Sequence, residues 1–180
     1  MVVDYAGGRT GMARLLDSAE VEVSVSYRTF GIVDESCRQE THTPDALEGS
    51  WVQVARGMVY LQCPSAVIRA RLRLESWSTT PPPDQAQWSG SEEVEMELPS
   101  GVLEVHELTG GREGAVIVLP SPGRYRLRLH WALNPETGPF YSPFKDGPAV
   151  VETPSGHEQK LAGVDEFCLG QLWRLSSTPG

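Results

Sequence analysis

The sequence predicts an all-β fold: an antiparallel β-sandwich, jelly-roll-like, of about eight to ten short strands with little helix. Apolar and polar residues alternate with a period of two in four separate segments, which puts one side of each in a core and the other in water. The 18 glycines and 14 prolines break helices and populate turns, so many short elements follow rather than a few long ones. Turn signals recur between the alternating segments, the spacing that two packed antiparallel sheets produce. Alternation alone does not separate such a sandwich from a closed barrel.

The 180 residues make one domain, 1–180, with an N-terminal segment at 1–18 and a tail at 176–180. A chain of this length buries roughly 70% of its unfolded surface and needs no staple. Residues 11–18 (GMARLLDS) are the one early helix candidate. From Glu20 the period becomes two, with Val21, Val23, Val25 and Tyr27 on the inner face. Phe30, Ile32 and Val33 form a second strand or continue the first past a bend at Gly31. Residues 34–50 read as a loop. Residues 51–54 and 58–61 are short apolar runs around a hairpin turn at Arg56-Gly57.

The clearest strand spans 66–77, with Ile68, Ala70, Leu72 and Leu74 inward and Arg69, Arg71, Arg73 and Glu75 outward. Pro81-Pro82-Pro83 makes 79–90 an extended loop, because consecutive prolines lack N–H donors. Val94, Met96 and Leu98 then alternate with Glu93, Glu95 and Glu97. Residues 102–108 and 115–119 are further strands around Gly110-Gly111. After the Pro122-Gly123 turn, Tyr125, Leu127, Leu129 and Trp131 alternate with Arg124, Arg126, Arg128 and His130. Residues 134–148 form a long loop, and 166–175 the last strand.

Two strands thus carry arginine at every second position and one carries glutamate. Opposite charges across neighbouring strands stabilise by about 0.2–1 kcal/mol per pair. The glutamate strand is therefore expected beside at least one arginine strand, on a face open to water. Arginines matched in this way are not free to hold an anionic ligand.

The formal net charge is −9. Acidity disfavours nucleic acid and anionic membrane surfaces and favours a basic protein partner. Cys37, Cys63 and Cys168 are too few and too far apart for a disulfide framework. Residues 1–16 contain Asp4, Arg9 and Arg14 and build no apolar leader, and no stretch approaches the roughly 20 apolar residues of a membrane helix. A cytoplasmic protein with reduced thiols is expected.

No nucleophile elbow, P-loop or His-Glu-x-x-His motif is present, so no catalytic residues are named. The histidines are scattered without metal-ligand spacing, and neither metal nor cofactor is expected. Cys63, before Pro64 at a strand end, reads as a small buried hydrophobe. The candidate binding residues are Phe140, Tyr141 and Phe144 on the long loop, with Trp77 and Trp88 flanking the proline loop. The opposing reading is that the loop aromatics fold back and cap the core. A polar alternative is His106, His130 and Glu104 meeting on the wet face of a sheet.

Three stretches resemble an uncharacterised β-rich protein family of actinomycete bacteria. They are Pro81-Pro82-Pro83 through Trp88 with Glu92-Glu93-Val94-Glu95, then Pro122-Gly123-Arg124-Tyr125-Arg126-Leu127-Arg128, and finally FCLGQLW at 167–173. The resemblance covers roughly the middle and C-terminal two-thirds. It implies a β-rich fold in a bacterial cytoplasm and carries over no functional residues. The function that follows is a non-enzymatic binding protein with a protein partner, an acidic inhibitor or immunity-like module. The alternative is a small-molecule-binding or enzymatic sandwich with a pocket at a sheet rim.

Overall fold

The computed structural model describes residues 12–38, 49–109, 111–112, 114–147 and 149–176. Among them eleven strands run in chain order: β1 (Leu15–Ser24), β2 (Thr29–Asp34), β3 (Val52–Ala55), β4 (Met58–Gln62), β5 (Arg69–Trp77), β6 (Gly90–Leu98), β7 (Val102–Glu107), β8 (Gly111–Arg112), β9 (Ile117–Val118), β10 (Gly123–Leu133) and β11 (Glu166–Arg174). One short helix, α1 (Glu158–Leu161), precedes β11.

The strands form two sheets of a sandwich. The first has the order β1-β5-β11-β10-β6, and the second β3-β4-β2-β7-β8 with β9 also on β7. All pairings are antiparallel except β11 on β5. Apolar residues of period two face inward from both sheets. Leu72, Leu74, Leu127, Leu129 and Leu172 meet Phe30, Ile32, Leu61, Leu103 and Val105 in one core. Tyr125 is buried there, and its hydroxyl donates to the Ser121 carbonyl at 2.7 Å, which removes the cost of burying it.

Four expectations are corrected. Of the helix candidate 11–18, the part from Leu15 belongs to β1 and pairs with β5. Eight residues containing Asp17 and Ser18 cannot sustain a helix without packing, and ladder hydrogen bonds to β5 take its place. Ile68 is 65% exposed rather than inward, because β5 begins one residue later. There the Asp165 carboxylate accepts from the N–H groups of Ile68 and Arg69, at 3.1 and 3.0 Å. Tyr27 is exposed, not inward. It is the tip of a two-residue turn closed by the Ser26–Thr29 bridge, with Tyr27 at φ 52° and Arg28 at φ 62°. Part of the 34–50 loop is a 3₁₀ turn, Glu35–Cys37; residues 39–48 lie outside the described residues, as does Gly110. The Arg56-Gly57 hairpin is present, with Gly57 at φ 65° and its carbonyl accepting from the Asp34 N–H at 2.8 Å.

Asp34 fastens the end of β2 to the β6–β7 turn. Its buried carboxylate accepts from Ser36 N and Oγ (3.0 and 2.6 Å), Ser100 Oγ (2.8 Å) and Gly101 N (2.9 Å). Burial works to raise this carboxyl, but the hydrogen bonds from Ser36, Ser100 and Gly101 hold it below the usual range.

Glu166 is the opposite case. It opens β11 with no exposed surface, and its Oε2 has no partner. Burial pushes its carboxyl up to about 7, against hydrogen bonds from Cys63 and Cys168. Burial, and then the Glu166 charge, push both thiols up in turn, so they stay protonated. Both cysteines are fully buried, as expected for Cys63.

Three stability tests follow. Asp34→Ala removes the buried carboxylate on which Ser36, Ser100 and the buried Gly101 N–H converge, and is expected to cost about 3 kcal/mol in urea unfolding. Arg28→Gly relieves a left-handed residue and is expected to stabilise by about 1 kcal/mol in the same assay. Glu166 is protonated in both folded and unfolded chains below its unperturbed value of 4.5. Its contribution is therefore complete at low pH and is lost as pH rises toward about 7, where the buried group must ionise. Unfolding free energy measured from pH 4.5 to 8 should fall by about 3 kcal/mol from this group, and Glu166→Gln should flatten that dependence.

Candidate functional site

The outer face of the first sheet carries the charge ladder. Register sets Arg124, Arg126 and Arg128 of β10 opposite Glu97, Glu95 and Glu93 of β6. Arg124 reaches Glu95 at 2.7 Å and Arg128 reaches Glu93 at 3.1 Å, while Arg126 bonds both glutamates. The second arginine row is matched in part: Arg71 bonds Glu20 and Glu22 of β1, Arg73 bonds Glu75 of its own strand, and Arg69, opposite Ser24, has no ion pair among the described residues. Arg71 sits opposite Glu22 and bonds it at 2.9 Å, and Arg73 sits opposite Glu20. Each exposed pair contributes at most about 1 kcal/mol. Their joint effect is to neutralise the whole β10 row and, in the β5 row, Arg71 and Arg73.

The ladder ends at His130, where the sheet's outer face becomes dry. Trp88, from the segment after the prolines, stacks on His130 with ring centroids 5.0 Å apart and planes 21° apart. On Trp88 also lies His157, at 4.3 Å, and Phe167 of β11 lies at 6.1 Å. Lys160 of α1 holds its ammonium 5.6 Å from the Trp88 ring centroid. Ala132, Leu161 and Leu169 complete this small apolar cluster. Trp88 and His130, named from the sequence for unrelated reasons, therefore meet in one cluster. His157 was missed, and a lone histidine in a polar loop carries no local signal that would find it.

The cluster holds an unusual number of buried nitrogens without hydrogen-bond partners: both of His130, Nδ1 of His157 and Nε1 of Trp88. His157 Nε2 lies 2.7 Å from the Gln87 carbonyl. A carbonyl only accepts, so Nε2 carries a proton and donates to it. Burial depresses the His130 imidazole below the usual histidine range; Asp84 opposes this and Arg128 reinforces it. A cavity of about 290 Å³ opens beside His130, bordered also by Asp84, Ser91, Glu92, Glu93 and Arg128. Burial raises the Glu92 carboxyl. A smaller cavity of about 70 Å³ lies beside His157, with Asn134, Glu136 and Glu158 on its walls. Among the described residues, no three His, Cys, Asp or Glu side chains are placed to hold a metal ion.

The other candidates lie elsewhere. His106 and Glu104 do not meet His130, which corrects that expectation: they sit on β7 of the second sheet, and His130 on β10 of the first. Glu104 is buried and bonds Arg38, and His106 Nδ1 lies 2.8 Å from the Tyr60 hydroxyl. Phe140 is buried in the main core, and Phe144 packs edge-on against Trp51 at 5.0 Å. Trp51 in turn lies 5.8 Å from Trp131, so the loop caps one end of the sandwich and leaves Tyr141 half-exposed. Trp77 is half-buried at the end of β5, its indole N–H donating to Glu75 at 3.0 Å.

No protein-family model matches this chain, and no curated protein sequence matches it. Two solved structures are similar over nearly their whole length. ComJ from Bacillus subtilis, described as an inhibitor of the DNA degrading activity of NucA, matches with a TM-score of 0.55 at 12% identity, over 91% of this chain and 99% of ComJ. The product of crocagin biosynthetic gene J matches with a TM-score of 0.57 at 24% identity, over 89% of this chain and 98% of its own. At these identities the likeness is one of fold, and the chain shares the β-sandwich of both.

Proposed function

We propose that this chain is a non-enzymatic protein-binding module that restrains a basic protein partner, of the inhibitor or immunity kind. The observation that carries this reading is the likeness to ComJ across almost the entire length of both chains. Net charge supports it. The chain is at −9, and with five of its six ladder arginines matched by glutamates, exposed carboxylates such as Asp84, Glu136 and Glu152 are left to set the surface field. Such a field steers a basic partner and rejects acidic ones. Proteins that act on DNA present basic surface to its phosphates, so an enzyme of that class has the complementary charge. Among the described residues no helix is long and apolar enough to cross a membrane.

The cavity beside His130 favours a second reading, a small-molecule-binding or enzymatic sandwich with a pocket at a sheet rim. It lies at the edge strand β6 and gathers polar groups that converge on one space.

The immobilised chain can be used to capture partners from its own cells at about 50 mM and about 500 mM salt. The captured protein is then purified and its activity titrated with the chain. The expected result is a basic partner, held in a stoichiometric complex that high salt weakens, whose own activity falls on binding. Capture of no basic protein, or full activity in the saturated complex, would remove the inhibitor reading. Turnover of a small molecule by the chain alone would establish the second.

A further inference from the structure

An edge strand turns half of its backbone groups away from its sheet, and in an antiparallel ladder these belong to alternate residues. The Arg124 carbonyl accepts from the Leu175 N–H at 2.9 Å, so Arg124, Arg126 and Arg128 turn their backbone groups to β11. Tyr125, Leu127 and Leu129 then bond their partners on β6, which are Met96, Val94 and Glu92. It follows that Ser91, Glu93, Glu95 and Glu97 point their N–H and C=O groups away from the sheet. All four residues are exposed, and none of these backbone groups has a hydrogen-bond partner among the described residues. β3 of the second sheet comes near β6 from the core side, and no ladder joins the two.

The other edges are plugged or short. Just past β1, the Val25 N–H donates to the Ile68 carbonyl at 3.0 Å, which turns Ser18, Glu20, Glu22 and Ser24 to the outer edge of β1. There the Ser24 N–H donates to the Glu107 carboxylate at 2.6 Å, and the Ser18 N–H to the Asp17 carboxylate at 2.8 Å. Only the Glu20 and Glu22 donors stay open between those plugs. In the second sheet β3 has four residues, and β8 and β9 have two each. β6, with nine residues, is the long open edge among the described residues.

Side chains decide what this edge accepts. Its outer face carries Glu93, Glu95 and Glu97. Glu97 forms no ion pair among the described residues. Glu93 and Glu95 each bridge two arginines of β10, and a carboxylate has lone pairs for a further donor on its open side. The inner face carries Val94, half-buried against the core. A second copy of the chain added here would set two glutamate rows against each other, which destabilises the pairing. A strand with lysine or arginine at alternate positions meets opposite charge instead, and its apolar residues cover Val94.

We propose that the open edge of β6 receives an extended segment of the protein partner as an added strand, basic residues facing Glu93, Glu95 and Glu97 and apolar residues facing Val94. Main-chain hydrogen bonds supply the attachment, and the glutamate row selects the partner. The partner as source rests on the protein-binding reading above; the open edge rests on the ladder alone.

The test begins with the unaltered chain, labelled with ¹⁵N, and the peptide acetyl-Thr-Lys-Val-Lys-Val-Lys-Thr-amide. Two controls are its counterpart with glutamate for lysine and a copy N-methylated at the three lysine amides, which keeps the charge and loses the main-chain donors. The lysine peptide should slow solvent exchange of the Glu93 and Glu95 amides and bind about tenfold or more tightly than either control. No added protection, or equal binding by the N-methylated peptide, would overturn strand addition. Equal binding by the glutamate peptide would overturn the basic occupant. Protection that grows with the concentration of the chain alone would overturn the partner in favour of a second copy.

Once a basic partner is in hand, Glu95→Pro should weaken its binding about tenfold relative to Glu95→Gln, because proline is tolerated at a sheet edge and removes the N–H that faces out. Equal affinity of the two folded variants would overturn this proposal while the protein-binding reading stands. The peptide arm decides on its own if Glu95→Pro does not fold. A chain that binds no basic protein yet takes up the lysine peptide would sink the protein-binding reading, and the partner strand with it, while the open edge stands.

Discussion

Much of this structure depends on one constraint: β11 is buried on both faces. Its inner face packs in the main core through Cys168 and Leu172, and its outer face carries Phe167 and Leu169, which also need cover. A strand in that position cannot leave its outer side to water, because the lost burial of two large side chains is worth several kcal/mol. The cover is drawn from two distant segments. One brings Trp88 from behind the prolines, and the other brings His157, Lys160 and Leu161 around α1.

The candidate site is a consequence of where that cover stops. Beneath it the outer face of the first sheet is apolar; beyond it the same face is a wet ladder of arginines and glutamates. His130 sits on the boundary, one alternation past Arg128 and one alternation before Ala132 of the dry cluster. It is covered by Trp88 on the ring face and left without a hydrogen-bond partner at either nitrogen. The cavity is the space between the end of the cover and the edge strand β6. Fold and site are thus one problem, since closing over β11 is what brings an aromatic, two imidazoles and a carboxylate together.

Several features were legible because the forces behind them are local or nearly so. That β6 lies beside an arginine strand could be anticipated from charge, since a row of glutamates and a row of arginines on alternate positions stabilise each other only in adjacent strands; that the strand is β10 was decided by the fold. Cys63 could be placed in the core from its apolar strand end. Other features were not legible. Glu20 and Glu22 both bond Arg71 across some fifty residues of chain, and nothing in β1 indicates that β5 lies beside it. Tyr27 continues an alternating pattern and yet caps a turn, because the chain must reverse there to reach the second sheet. His106 and His130 share a chemical type and a strand context, and the sheet assignment alone separates them.

By itself, the sequence determined most of the strands and of their inward and outward faces, the acidic field and the glutamate–arginine ladder, because period-two burial and charge are written residue by residue. Only the tertiary structure decided that β11 runs parallel to β5 and antiparallel to β10, and that His130, Trp88 and His157 share one cluster. Those outcomes join residues tens of positions apart through packing and hydrogen bonds, and no local period in a chain records which distant segment will cover a given face.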